Sequence, residues 1–372
     1  MHILLHKSTH VEKKEYDKGV SMKQGTNQVE SWKTDSCNKS GNVSTLFSSL
    51  SSGDIHKMRR MIALSGNSSC YSRFLPSFVN YTLHRIKHVH NHLNLHIPKS
   101  GGTSICSLAT EKAEQDTNFT VATTNGCWEG EHFLPLWCHS LRFVPGGDRS
   151  EWLDYNNEAA LPDPSTATAA LCNAMDRKLP IFVMNENYLD HPLCTQQRIY
   201  SIVIRNPVDR VMSNERHLLE FGREHEKERL QLIRNNYIVW ALSSGTTKHG
   251  ERLSILPQKE HLEIAKETLL QFDYLLDVTL TFSSSCHDDI LYLMGLASGD
   301  GENPPHEMKG RGKQNNLALT RKEYKELNLL DIELYEYAQS VMRVDCEFFS
   351  LVRQQMKEGK SFFPRPLIHR GG

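Results

Sequence analysis

Residues 95–104 read LHIPKSGGTS, and this stretch decides the fold that we expect for the chain. The apolar end of a strand is followed by Lys99, by two adjacent glycines and by two hydroxyl residues, before helix-forming residues begin. Gly101 and Gly102 permit positive φ and close approach of a ligand to the backbone. The amides that open the next helix would face an anion, with the positive end of the helix dipole behind them. This order predicts a phosphate-binding loop, and a plain glycine turn is the alternative.

Segments with strand character alternate with helix-like segments outward from this loop. The predicted strands are 93–97, 180–184, 198–204 and 272–282. The predicted helices are 103–113, one near 165–177, 207–221, 226–245, 285–296 and 330–349. Alternation of this kind predicts an α/β fold with a mostly parallel central sheet that helices cover on both faces.

Three chemically active side chains come just after predicted strands, at Lys99, Glu186 and Arg205. Ligands of open parallel sheets bind beyond the carboxyl ends of the strands, so these groups are candidates for one site. In SIVIRNPVDRVMSNERH, residues 201–217, proline follows Arg205 by two positions and can start a helix. Ser213 lies about two turns along that helix, so Arg205 and Ser213 could hold a second phosphate. Arg210 and Arg216 are expected to be structural or surface residues.

Composition narrows the classes of function. The chain has 372 residues, 38% of them hydrophobic and 23% charged, with a formal net charge of −1. The even charge balance argues against general nucleic-acid binding and requires any anion site to be local. No apolar stretch approaches the roughly 18 residues of a transmembrane helix. The first apolar run is too short for a signal peptide, so we expect an intracellular chain or one whose leading anchor is missing.

The domain organisation follows from a change in pattern near residue 90. Residues 1–88 are predicted to be a poorly patterned extension or stem, 89–350 a catalytic domain and 351–372 a tail. The nine cysteines include no Cys-x-x-Cys pair, which argues against a zinc ribbon. Glycosylation sequons are weak evidence for a secretory setting. They begin at Asn38, Asn42, Asn67, Asn80 and Asn118.

The two phosphate motifs together resemble a known family. HIPKSGGTS is similar to the 5′-phosphosulfate loop of sulfotransferases that use 3′-phosphoadenosine-5′-phosphosulfate, and IRNPVDRVMSNERH resembles their 3′-phosphate motif. The closing segment, NNLALTRKEYKELNLLDIELYEYAQSVM, is similar to that of Golgi carbohydrate sulfotransferases, in particular the heparan sulfate 6-O type. The resemblance covers about residues 90–345.

The resemblance implies a three-layer α/β/α fold of the P-loop NTPase-like sulfotransferase type, and a glycan or polysaccharide acceptor in the Golgi. It assigns the 3′-phosphate to Arg205 and Ser213, and the 5′-phosphosulfate to Lys99, Gly101, Gly102, Thr103 and Ser104. No metal is expected, since a lysine and backbone amides can offset charge on the leaving phosphate.

Sulfuryl transfer also needs a base for the acceptor hydroxyl. Glu186 is the first candidate, because Glu-Asn-Tyr is similar to a segment of the heparan N- and 3-O-sulfotransferases. His139 and His191 are the alternatives, because the 6-O relatives use histidine. The basic loop MKGRGKQNN, residues 308–316, could close over the nucleotide, and an ordinary exposed loop is the other interpretation. Its candidate contacts are Lys309, Gly310 and Arg311.

Other functions stay open from the sequence. A kinase-like phosphotransferase would need a Gly-Lys-Ser/Thr loop, which the segment at Lys99 lacks. A catalytically inactive relative that binds a nucleotide or a glycan fits the same motifs. The five histidines of HRIKHVHNHLNLH, residues 84–96, suggest a metal site, but no carboxylate or cysteine joins them. We expect that segment to be a polar approach to the first strand.

Overall fold

Five parallel strands form the sheet at the centre of the protein. The computed structural model describes residues 46–47, 49–89, 91–115, 121–123, 142–143, 152–153, 182–186, 193, 195–196, 198–220, 231, 233–243, 256–278, 285–297 and 317–359. The strands of the sheet are β1 His92–His96, β2 Val121–Thr123, β5 Phe182–Glu186, β6 Ile199–Ile204 and β7 Tyr274–Asp277. A separate antiparallel pair consists of β3 Arg142–Phe143 and β4 Trp152–Leu153.

Nine helices are defined in the part of the chain that the structure describes. They are α1 Ser52–Leu64, α2 Ser68–His88, α3 Gly102–Gln115, α4 Pro207–Glu220, α5 Tyr237–Ser243, α6 Lys259–Leu269, α7 Ser285–Leu293, α8 Arg321–Leu327 and α9 Leu329–Glu358. The predicted alternation of strands and helices is therefore confirmed at the level of an α/β fold with a parallel sheet. Among the described helices, none is both long and apolar enough to span a bilayer.

The order of the sheet is β2-β5-β1-β6-β7. The chain leaves β1 toward β2 on one side of the sheet, and it leaves β6 toward β7 on the other side. Adjacent strands whose connections run in opposite directions create a crevice at their carboxyl ends, where ligands of α/β proteins bind. The loop after β1 and the turn after β6 both open into that crevice.

Strand β1 presents two chemically different faces. Leu93, Leu95 and Ile97 are almost completely buried in the main hydrophobic core, to which β6 and helices α4, α5, α6 and α9 also contribute. His92 and Asn94 point to the other face and are buried too. There, the Asn94 amide donates to Ser201 Oγ at 2.7 Å, which satisfies one buried polar group across the sheet. Burial of both faces is the usual state of a parallel strand.

The expected extension before residue 88 is wrong for residues 52–88, which fold as α1 and α2 against the rest of the protein. Arg60 is fully buried, and its guanidinium donates to both carboxylate oxygens of Asp345 in α9. Arg85 donates to Asp273, just before β7. The extension was predicted because this segment is poorly patterned, with polar and charged residues. In the structure, charged residues of the segment are buried with partners far along the chain.

The single helix predicted for 226–245 is also interrupted. Asn236 has φ 50°, a left-handed conformation that stops a right-handed helix, and α5 begins after it. The Asp331 carboxylate accepts two amide N–H groups from the first turn of α5. In return, Asn236 Oδ1 accepts two amide N–H groups at the start of α9. The two helix starts therefore cap each other, an arrangement that depends on residues about a hundred positions apart.

The domain boundary predicted at residue 350 falls inside α9, which continues to Glu358. Val352 is fully buried, and Arg353 pairs with Asp289 of α7, so these turns belong to the folded body. A disulfide between Cys286 and Cys346 also joins α7 to α9.

Candidate anion-binding site

The loop after β1 turns sharply through left-handed backbone conformations. Gly101 has φ 83°, as its residue type permits, and Lys99 has φ 66°, which is uncommon for a residue with a side chain. The Ser100 amide donates to the carbonyl of Ile97 at 3.0 Å and closes the turn. A non-glycine residue in this region costs about 1 kcal/mol or more, so the surrounding structure holds Lys99 in place.

Both glycines are required by close contacts. A Cβ atom on Gly102 would lie 2.0 Å from His96 Nε2, and one on Gly101 would lie 2.6 Å from Val278 Cγ2. The imidazole of His96 therefore packs directly against the backbone at the start of α3. The prediction of a loop in which glycine permits close approach is consistent with this geometry, although the group that approaches Gly102 here is a side chain of the protein itself.

Arg205 joins the two sequence motifs. Its Nη1 donates to the carbonyl oxygen of Lys99 at 3.1 Å, so the end of β6 is tied to the loop after β1. Asn206 then caps α4, since its Oδ1 accepts from the amide of Val208 at 3.1 Å. Pro207 occupies the first position of that helix, as predicted.

Burial and neighbouring charges shift the pKa values of two residues at this edge of the sheet. Burial, with a contribution from the positive charge of Lys99, lowers the pKa of His96 to about 4, so its imidazole is neutral at pH 7. Burial also lowers the pKa of Arg205, and the neighbouring Arg216 acts in the same direction. The carboxylates of Asp209 and Asp277 oppose that shift. Arginine remains cationic through shifts of this kind, so the Arg205 guanidinium stays a positive group at the crevice.

Hydrogen-bond donors lie at the same edge of the sheet as the Arg205 guanidinium. Among the described residues, the completely buried Ser100 hydroxyl has no hydrogen-bond partner, and Ser104 in the first turn of α3 is almost as buried. The first amides of a helix have no intrahelical acceptor. A helix N-terminus, a buried hydroxyl and a guanidinium thus meet at one place, and this combination suits an anion.

The structure places only some of the predicted site residues. Lys99 and Gly101 lie in the loop after β1, and Gly102 and Ser104 lie in the first turn of α3. Arg205 follows β6, and Ser213 lies in α4. Thr103 belongs to the first turn of α3, and Glu186 is the last residue of β5. In the parallel register, Glu186 is paired with His96, so its backbone lies at the same sheet edge as the loop. The other predicted residues, His139, His191, Lys309, Gly310 and Arg311, lie outside the described residues.

Sequence reasoning missed His96 as a site residue. It belongs to the quoted loop, but a histidine at a strand end carries no special signal until the packing against Gly102 is seen. The sequence did indicate the role of Arg210, which is fully buried and donates to the carbonyl of Ile233 at 2.8 Å. Arg210 is therefore a structural residue rather than part of the crevice.

The histidine-rich segment divides into two elements. Helix α2 ends at His88 and β1 begins at His92, while the rings of His84 and His88 lie 4.3 Å apart on the helix. Within the described ranges, no three histidine, cysteine, aspartate or glutamate residues are arranged to hold a metal ion.

No protein-family model matches the chain, and no curated protein or solved structure is significantly similar to it.

Proposed function

We propose that this protein is a sulfotransferase, which moves the sulfuryl group from 3′-phosphoadenosine-5′-phosphosulfate to a hydroxyl of a glycan. The observation that carries the proposal is the hydrogen bond from Arg205 to the Lys99 carbonyl. It connects two segments that the sequence predicts to bind phosphate, more than a hundred residues apart in sequence, at the ends of neighbouring strands. A nucleotide with phosphates on both sides of its ribose needs two such sites close together.

The proposed fold is the three-layer α/β/α arrangement of P-loop NTPase-like sulfotransferases. Its support is the parallel sheet, in which the strands numbered along the chain run in the order 2-3-1-4-5, with the glycine loop after the first of them. In this proposal the loop residues Lys99, Gly102 and Ser104 bind the 5′-phosphosulfate, together with Gly101 and Thr103. Arg205 and Ser213 bind the 3′-phosphate.

The proposed chemistry is an in-line displacement at sulfur. The acceptor oxygen forms a bond to sulfur, the bond between sulfur and the bridging phosphate oxygen breaks, and the hydroxyl proton passes to a base. Lys99 and the first amides of α3 would stabilise the negative charge that develops on the leaving phosphate. Glu186 is the preferred base because its backbone lies at the same edge of the sheet. His139 and His191 are the other candidates for this role.

The cellular setting proposed is the Golgi or another part of the secretory pathway. The disulfide between Cys286 and Cys346 supports it, because structural disulfides form and persist in oxidising compartments.

Calorimetry with adenosine 3′,5′-bisphosphate and a sulfate-transfer screen across glycans test the function on the full chain. We expect Arg205→Ala to weaken nucleotide binding about 10- to 100-fold, through loss of a charge-assisted hydrogen bond. Lys99→Ala should lower the transfer rate about 100- to 1,000-fold, because its charge acts mainly in the transition state. Lys322→Ala is the matched control, since the Lys322 side chain is 85% exposed on α8.

The possible outcomes separate the alternatives. Full transfer activity in Lys99→Ala would show that the proposed mechanism is wrong. Binding of the bisphosphate without transfer to any glycan would favour an inactive relative. Magnesium-dependent phosphoryl transfer from ATP, without affinity for the bisphosphate, would favour a kinase-like enzyme.

A further inference from the structure

An exposed turn between α1 and α2 contains the sequon Asn67-Ser68-Ser69. Gly66, with φ 70°, reverses the chain just before it. The side chains of Asn67 and Ser69 are both exposed. The sulfotransferase proposal makes no use of this motif.

The two polar atoms of the Asn67 side chain have different surroundings. Oδ1 accepts the amide N–H of Cys70 at 3.0 Å and thereby caps the start of α2. The amide nitrogen Nδ2, the atom that carries an N-linked glycan, takes no part in the cap. A substituent on Nδ2 therefore leaves the acceptor and the helix cap unchanged, and the exposed turn leaves room for a bulky group.

The other described sequon offers a contrast. Asn80 lies in the interior of α2 and is only partly exposed, and the hydroxyl residue of its sequon, Thr82, is 5% exposed. A glycan at Asn80 would stand beside residues that pack into the core, such as Val79. The sequons at Asn38, Asn42 and Asn118 lie outside the described residues.

We propose that Asn67 carries an N-linked glycan. The donor is an oligosaccharide linked to a lipid through diphosphate. The Asn67 amide nitrogen forms a bond to the anomeric carbon, the bond between that carbon and the diphosphate oxygen breaks, and the lipid diphosphate leaves while the amide gives up one proton. The disulfide between Cys286 and Cys346 fits the oxidising compartment where this donor is found. The inference does not depend on the sulfotransferase proposal.

The test expresses the full chain in cultured eukaryotic cells behind a cleavable secretory leader. Protein from the secretory membranes and from the medium is digested with the amidase that releases N-linked glycans and converts the carrier asparagine to aspartate. We expect the peptide that contains residue 67 to carry aspartate after digestion. Conversion of Asn67 to aspartate should not weaken the N-terminal cap of α2, since aspartate is as good an N-cap as asparagine. Digestion should therefore not lower the unfolding temperature through loss of this cap.

Matched variants make the assignment specific to this site. Asn67→Gln and Ser69→Ala should each remove one glycan step in gel mobility, because both destroy the sequon. Ser68→Ala should leave the step in place, because that position accepts any residue except proline. The proposal would be overturned by an unmodified Asn67 in protein recovered from these membranes, or by loss of the step only in Ser68→Ala.

Discussion

Replacing Gly102 with alanine tests the packing of the loop after β1 most directly. The new Cβ would lie 2.0, 2.1 and 2.4 Å from three atoms of the His96 ring. The ring would have to retreat by about 1.4 Å to reach ordinary van der Waals contact, and overpacking of this kind costs about 1–3 kcal/mol. We therefore expect Gly102→Ala to lower the free energy of unfolding by that amount. We also expect it to weaken the binding of adenosine 3′,5′-bisphosphate.

The same substitution should have the opposite effect on the free energy of unfolding when the His96 ring is absent. Gly102 does not have positive φ, so alanine fits its backbone without strain. At such positions Gly→Ala stabilises a protein by about 0.4–1 kcal/mol. In a His96→Ala background, Gly102→Ala should thus be neutral or slightly stabilising. The coupling between the two positions in a double-mutant cycle should be about 1.4–4 kcal/mol, the sum of the relieved clash and this gain.

Urea denaturation of the four proteins in the cycle measures this coupling. Gly53→Ala serves as the control, because its Cβ would approach Gln271 and Thr195 but not His96, so its effect should be equal in both backgrounds. Equal destabilisation by Gly102→Ala with and without His96 would refute the argument that this ring requires glycine at position 102.

Two further predictions concern stability. Arg60→Ala should cost about 2–4 kcal/mol in urea denaturation, because it removes one of the two buried arginines that pair with Asp345 and also removes the donor to the buried carbonyls of Leu270 and Phe272. Arg343→Ala, on the exposed face of α9, should change stability by less than about 0.5 kcal/mol, and equal effects of the two substitutions would contradict the docking of α1. Burial lowers the pKa of His287 to about 4, whereas its unfolded value is about 6.5. Its contribution to stability is therefore complete above pH 6.5 and is lost as the pH falls toward 4, by about 2–3 kcal/mol at pH 4.5. His287→Gln should remove this part of the pH dependence of the unfolding free energy, and an unchanged dependence would contradict the assignment.

The local sequence was sufficient where the signal lies within a few neighbouring residues. The sequence predicted a strand at 93–97, close to the observed β1, and the proline at position 207 predicted the start of α4. The order of strand, lysine and glycines predicted the turn at Gly101. Strand ends were less well predicted. The strand expected to run from 272 to 282 ends at Asp277, because pairing with β6, rather than the apolar run, sets its length.

The features that only the tertiary structure decided depend on contacts between residues far apart in the chain. Arg60 looks like a surface residue until Asp345, 285 positions away, is placed against it. Asn236 stops a helix because the start of α9 supplies amide groups to its side chain. The sequence alone predicts two phosphate-binding motifs, one at Lys99 and one at Arg205. Their meeting, through Arg205 and the Lys99 carbonyl, required parallel strands to become neighbours, and no local pattern encodes which strands pair.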